Sequence, residues 1–268
     1  MCCRVRSGSA RAEKPLSHAS AMQTILVGPL TVRALGHGEG PAILLCHGFG
    51  APGDDLVGLA RAIDAGPGVR WFFPEAPIEL DWGGRAWWEI DLERRIALAA
   101  RGQADQLRDE TPPGLPDARA ALEGTLTVLE REHGVRRDRL ILGGFSQGAM
   151  LATEIALETE TPFAGLVILS GTLLSKDRWA TAARARGRSL HVLIAHGRRD
   201  PLLRFADAEA LRGLLEKGGA SVAWVEHGGQ HEIPAVVLDR LGAFARGRFG
   251  GATGGLRAPP SRSGAPGR

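Results

Sequence analysis

Short apolar runs alternate with stretches of helical spacing along most of this chain, and that alternation constrains its fold more than any other feature. Residues 42–46, 69–73, 140–144, 165–170, 190–195 and 221–226 read as strands. Most are continuously apolar rather than alternating, so both faces of the sheet they form must be covered. Between them, 54–63, 91–108, 117–133, 147–158, 203–217 and 231–246 have helical spacing, with a less regular Arg-rich stretch at 176–188. Asp54 or Asp55 stands where a cap is wanted for the first of these. Parallel neighbours need a crossover of a dozen or more residues, and a helix is the usual one. The fold class is therefore α/β, a mostly parallel sheet with helices on both faces. Residues 23–35 read as a further strand pair broken at Gly28-Pro29. No internal repeat is visible.

Composition narrows the function. The chain has 268 residues, 44% hydrophobic and 24% charged, enough for one sizeable core. A single domain over 22–246 is the simplest division, with disordered extensions at 1–21 and 247–268. No stretch approaches the roughly 20 apolar residues of a membrane span. Residues 1–21 also lack the apolar run of a secretory signal. Met22, just before the first strand-like run, is a candidate start codon, and acylation of Cys2 or Cys3 has no support nearby. The formal charge of +3 is unevenly placed: +3 on residues 1–21, +5 on 246–268 and −5 on the remainder. A nucleic-acid partner is therefore not expected for the folded body, although the basic tail could touch a polyanion. Three cysteines imply neither a disulfide framework nor a cysteine-rich metal site, and they fit a reducing, cytoplasmic setting.

The chemistry is carried by Gly143-Gly144-Phe145-Ser146-Gln147-Gly148-Ala149, between a strand and a helix. It contains G-x-S-x-G at Gly144, Ser146 and Gly148. A chain that reverses sharply from strand to helix forces the central serine into strained backbone angles. Side chains two before and two after would collide, so glycine is used. Ser146 is then lifted above the sheet at a helix N-terminus, with the Gln147 N–H aimed at developing negative charge. The alternative is a tight structural turn. An earlier strand ends in Leu45-Cys46-His47-Gly48-Phe49-Gly50. The loop there can supply a second oxyanion donor, the Phe49 N–H. His47 reads as a brace for that loop and Cys46 as a small buried hydrophobe, with a thiol nucleophile as the alternative.

The expected order is serine, acid, histidine. His231 lies after the last strand, where a base can hang over Ser146, and His227 is the alternative. Asp200, fixed by Pro201 in the loop after an earlier strand, is the acid, with Asp177 the rival. His227 and His231 stand at the i, i+4 spacing of a metal pair, but the Gly-Gly between them argues against a helix there, so no metal is expected. Trp71, Trp82, Trp87 and Trp88 crowd a Pro- and Gly-rich segment. Trp87 and Trp88, with Phe49, are read as a substrate wall, and Trp71 as core cover.

These residues resemble the carboxylesterase/phospholipase family of α/β-hydrolases, the group that includes acyl-protein thioesterases and small bacterial carboxylesterases. The resemblance runs from about Ala42 to Ala245. It rests on the Leu45–Gly50 and Gly143–Met150 strings, Ala86-Trp87-Trp88-Glu89-Ile90-Asp91 and Leu169-Ser170-Gly171. It continues in His196-Gly197-Arg198-Arg199-Asp200-Pro201 and Gly229-Gln230-His231-Glu232-Ile233. It implies a single-domain α/β-hydrolase with the triad Ser146, Asp200 and His231. It also implies oxyanion amides at Phe49 and Gln147. A serine hydrolase of small-molecule carboxylic esters or thioesters, with no cofactor and room for a homodimer, is the implied function. The rival class is a non-catalytic binding protein on the same fold. Gln230 replaces the glycine the family often has before the base, and 101–116 and 176–188 lie outside the resemblance.

Overall fold

The computed structural model describes residues 21–250. The first half of the chain runs β1 (Gln23–Val27), β2 (Leu30–Leu35), β3 (Ala42–Cys46), α1 (Leu59–Ala62) and β4 (Arg70–Pro74). A small hairpin of β5 (Ile78–Glu79) and β6 (Arg85–Ala86) precedes α2 (Leu92–Ala100) and α3 (Leu115–His133). The second half runs β7 (Leu140–Phe145), α4 (Gln147–Glu158), β8 (Gly165–Leu169), α5 (Lys176–Arg186) and β9 (His191–Gly197). It ends with α6 (Phe205–Lys217), β10 (Ser221–His227) and α7 (Ala235–Gly250). The expected extensions at 1–20 and 251–268 lie outside the described residues.

Eight strands form one sheet in the order β1-β2-β4-β3-β7-β8-β9-β10. The β1–β2 and β2–β4 pairs are antiparallel, and every later pair is parallel. Period-two alternation splits each apolar strand between two cores. Leu44, Cys46, Leu142 and Ile168 face the layer of α3, α4, α5 and α6, while Ile43, Leu45, Ile141 and Val167 face α1 and α7. That is why the runs are apolar throughout. From β3 the chain goes outward to β4, and it later returns to lay β7 on the other side of β3. Loops leaving β3 and β7 therefore diverge at a topological switch point, where this class of sheet opens a crevice.

Three expected helices differ. The one at 54–63 shrinks to Leu59–Ala62 with no side-chain cap, so neither Asp54 nor Asp55 caps it. Gly53 turns there at φ +99, and Ala51 is drawn aside by the Arg85 N–H. The one at 91–108 breaks at Gly102, which adopts φ +68, and resumes as a 3-10 turn at Ala104–Arg108. The last begins at Ala235, after Pro234, rather than at His231, and runs to Gly250. Residues 247–250, placed in the tail from the sequence, are thus helical.

Candidate active site

Ser146 sits at φ 54, ψ −117, between the end of β7 and the start of α4. Its N–H donates to the Leu169 carbonyl at 2.8 Å, so the strand pairing holds up to the turn. The flanking glycines are sterically required. A Cβ on Gly144 would lie 2.4 Å from the Gly148 carbonyl carbon, and one on Gly148 would lie 2.2 Å from the Cys46 oxygen. Both separations are far inside van der Waals contact, so α4 can approach β3 this closely only without those side chains.

The loop after β3 is braced from both ends. His47 is buried; its Nδ1–H donates to the Gly48 carbonyl at 2.8 Å, and its Nε2 accepts the Ala76 N–H at 2.9 Å. Those partners fix one neutral tautomer. Burial holds the ring below the usual imidazole range, against an opposing pull from the Gly48 hydrogen bond. At the far end the Gly50 N–H donates to the Arg85 carbonyl at 2.8 Å. A Cβ on Gly48 would lie 3.3 Å from that of Ser146, so the loop passes directly beside the serine. Gln147 opens α4, so its N–H has no acceptor within the helix. Among the described residues the Phe49 N–H has no hydrogen-bond acceptor either.

His231 hangs in the loop before α7. Its Nδ1–H donates to Asp200 Oδ2 at 2.6 Å, and its ring packs on Phe145, the neighbour of Ser146, at 4.7 Å between centroids. The Asp200 side chain is fully buried. Its Oδ1 accepts the N–H groups of Leu202 and Leu203, both at 2.9 Å, across the turn that Pro201 starts. His196 adds a contact at 3.4 Å to Oδ2 while donating to the Leu203 carbonyl. Burial pushes the Asp200 carboxyl up, but the hydrogen bonds from His231 and the two amides outweigh it and hold it below the usual carboxylate range.

A carboxyl held lower when folded contributes stability above its unfolded value of about 4, and loses it as the pH falls through its folded value. The stability gap between wild type and Asp200→Asn in urea unfolding is therefore expected to shrink as the pH is lowered below about 4. A gap independent of pH would contradict this.

The structure joins His231 to Asp200 by a hydrogen bond and to the serine turn through Phe145, while the Ser146 side chain itself makes no hydrogen bond to His231; the alternatives have other surroundings. His227 is buried; its Nδ1 accepts the Gly229 N–H at 3.2 Å, and no contact with Asp200 is made. Asp177 is exposed in the first turn of α5. Cys46 is fully buried, and burial pushes its thiol far above the ordinary range, which leaves it inert. Among the described residues no three His, Cys, Asp or Glu side chains converge as a metal site.

The tryptophans divide differently from the sequence reading. Trp71 is buried and stacks on Phe73 as core cover. Trp87 is not an open wall: it is only 1% exposed, and its Nε1–H donates to the His47 carbonyl at 3.0 Å. A backbone acceptor in the loop after β3 captures the indole and turns it inward. Trp88 is also buried, but it lines a cavity. Trp82, which the sequence reading did not assign to substrate, is 67% exposed, and its ring faces Phe49 at 6.3 Å. The Gln147 side chain was missed as well. It accepts the Trp87 N–H at 2.9 Å and donates to the Trp88 carbonyl at 2.8 Å, tying the serine turn to the tryptophan segment. Its position beside Ser146 in the sequence was the only available signal.

Comparison with known proteins adds an independent line. A sequence profile of the Phospholipase/Carboxylesterase family matches residues 30–246. "Acyl-protein thioesterase 1" of Neurospora crassa is 27% identical over 236 residues, covering 82% of this chain and 91% of the relative. The protein of that name from Yarrowia lipolytica is 27% identical over 197 residues, covering 70% and 82%. Among solved structures, esterase PE8 superposes with a TM-score of 0.69 at 26% identity, covering 81% of this chain and 98% of its own. A carboxylesterase from Mesorhizobium loti superposes with a TM-score of 0.64 at 18% identity, covering 83% and 98%, and speaks to the fold alone.

Proposed function

The chain belongs to the phospholipase/carboxylesterase family and is an esterase-type hydrolase of esters or thioesters, and from that premise we propose that Ser146, His231 and Asp200 carry its reaction. The observation that supports the assignment most is the hydrogen bond from His231 Nδ1 to the buried Asp200, with the same imidazole packed on Phe145 beside Ser146.

In this reading Ser146 Oγ attacks the acyl carbonyl carbon while neutral His231, through Nε2, takes the hydroxyl proton. Asp200 holds the Nδ1–H tautomer and stabilises the imidazolium that forms. The carbonyl oxygen becomes an oxyanion and is received by the Phe49 and Gln147 amides; one such donor supplies about 3 kcal/mol of barrier lowering. The tetrahedral species collapses, the bond to the alcohol or thiol breaks, and His231 returns its proton to the leaving group. Water then attacks the acyl-enzyme with His231 as base, releasing the acid and restoring Ser146. The facing rings of Phe49 and Trp82 offer apolar surface for the incoming acyl group. No metal or organic cofactor takes part in this scheme. Among the described residues no helix is long and apolar enough to cross a membrane. Cytoplasmic placement and self-association are carried as expectations within the same proposal.

The test joins a fluorophosphonate probe with a chain-length series of nitrophenyl esters. The probe is expected to label wild type once, at the peptide containing Ser146, and to leave Ser146→Ala unlabelled. The ester series then reads the size of the acyl site. Wild type that neither labels nor turns over any ester would support a binding protein instead.

A further inference from the structure

A cavity of about 530 Å³ opens beside the tryptophan segment. Its apolar wall is Ile78, Trp88, Ile90, Leu107 and Leu174, and part of its rim is the 110–114 stretch that falls outside the family resemblance. Ser146 and His231 do not line it; its link to the serine turn is Trp88, whose carbonyl accepts the Gln147 side chain. The wall also carries Arg95, from the second turn of α2.

Arg95 is half-buried; its backbone N–H donates to the Asp91 carbonyl, but among the described residues its guanidinium has no hydrogen bond and no ion pair. The carboxylates whose charge reaches it are Asp207 and Glu110. Both are already engaged: Asp207 with Arg108 and Arg204, Glu110 with Arg94 through two hydrogen bonds. Asp91 accepts the Arg94 N–H and caps α2, and Glu89 is exposed to water at the rim. A guanidinium partly withdrawn from water with no acceptor is costly, and its planar fork matches a carboxylate or phosphate. Burial in fact pulls the Arg95 guanidinium below its ordinary range.

Resting on the esterase reading above, we propose that this cavity is a subsite for a negatively charged group of the substrate, and that Arg95 is the residue that binds it. The favoured ester or thioester then carries a carboxylate or phosphate at a distance from the scissile bond. The apolar wall holds the intervening chain, and Arg95 holds its charged end. Two sources present this chemistry: a carboxylate at the far end of the acyl chain, or a phosphate on the leaving alcohol.

The experiment compares kcat/KM for two substrate pairs in wild type, Arg95→Gln and Arg95→Lys. The first pair is a nitrophenyl monoester of a dicarboxylic acid and the nitrophenyl alkanoate of equal length. The second is an acyl glycerol phosphate and the matching acyl glycerol. Wild type is expected to prefer the charged member of one pair, and that pair identifies the source. Arg95→Gln is expected to lower that preference at least about tenfold, the factor one charge-assisted hydrogen bond supplies. Arg95→Lys should keep an intermediate preference, since it retains the charge and loses the fork. Turnover with no preference in either pair, or with a preference that Arg95→Gln leaves intact, overturns the inference alone. No turnover of any of the four esters by wild type overturns the esterase reading as well.

Discussion

Replacing Ser146 by alanine is expected to lower kcat for ester hydrolysis by about 10⁴–10⁶ with the fold intact. Alanine keeps the Cβ at the turn, and the Ser146 N–H bond to Leu169 belongs to the backbone, so neither the strand pairing nor α4 has cause to move. Circular dichroism and the melting temperature should match wild type. His231→Ala is expected to cost a comparable factor, and the double variant little more, because the groups act on one proton as a unit. Asp200→Asn should cost about 10⁴ by favouring the wrong imidazole tautomer. Single-turnover kinetics on a nitrophenyl ester check all four. If Ser146→Ala retained wild-type burst kinetics, another nucleophile would be required, and Cys46 is too deeply buried to be one.

Gly148→Ala is expected to be the most destabilising single-methyl change at the site. The added carbon would lie 2.2 Å from the Cys46 oxygen and 2.5 Å from the Cys46 carbon and the His47 oxygen. All three are backbone atoms at the end of a central strand, so no side chain can rotate away. Either α4 lifts from β3 or the loop carrying Phe49 moves, and both open the same crevice. A loss above about 4 kcal/mol is expected, a large share of a domain's net stability. Gly213→Ala in α6 is the matched control: its Cβ would meet nothing within 4 Å. There the change should stabilise by about 0.5–1 kcal/mol, through helix propensity and a less flexible unfolded chain. Chemical denaturation of the two variants beside wild type reads both signs. A Gly148→Ala protein as stable as wild type would mean that the turn is not packed as described.

Much of the candidate site was legible because its requirements are local. Ser146 at positive φ between two glycines needs only a few consecutive residues, and so does Asp200 fixed by Pro201 with amides two and three residues on. The helix at Gln147–Glu158 was read to the residue, since the glycine-rich turn sets its start. Helix ends set by a distant contact were not legible. The shortening of α1 goes with Ala51 meeting Arg85, far along the chain, whereas the break after α2 is a local glycine turn at Gly102 that the helical reading passed over. Trp87 looked like a pocket wall until its indole was found donating to His47, forty residues away.

The amino-acid sequence by itself determined the layered α/β class, the serine turn, the choice of Asp200 and His231 as its candidate partners, and the uneven charge of body and ends. Period, steric exclusion and turn chemistry act over a few residues, so they can be read along the chain. Only the tertiary structure decided that β3 and β7 lie side by side with their loops diverging, that Gln147 clamps the tryptophan segment, and that the Arg95 guanidinium is left without an acceptor while its neighbours are paired. Those outcomes depend on which distant side chains come to share a space, and hydrogen-bond satisfaction there is settled among all of them at once.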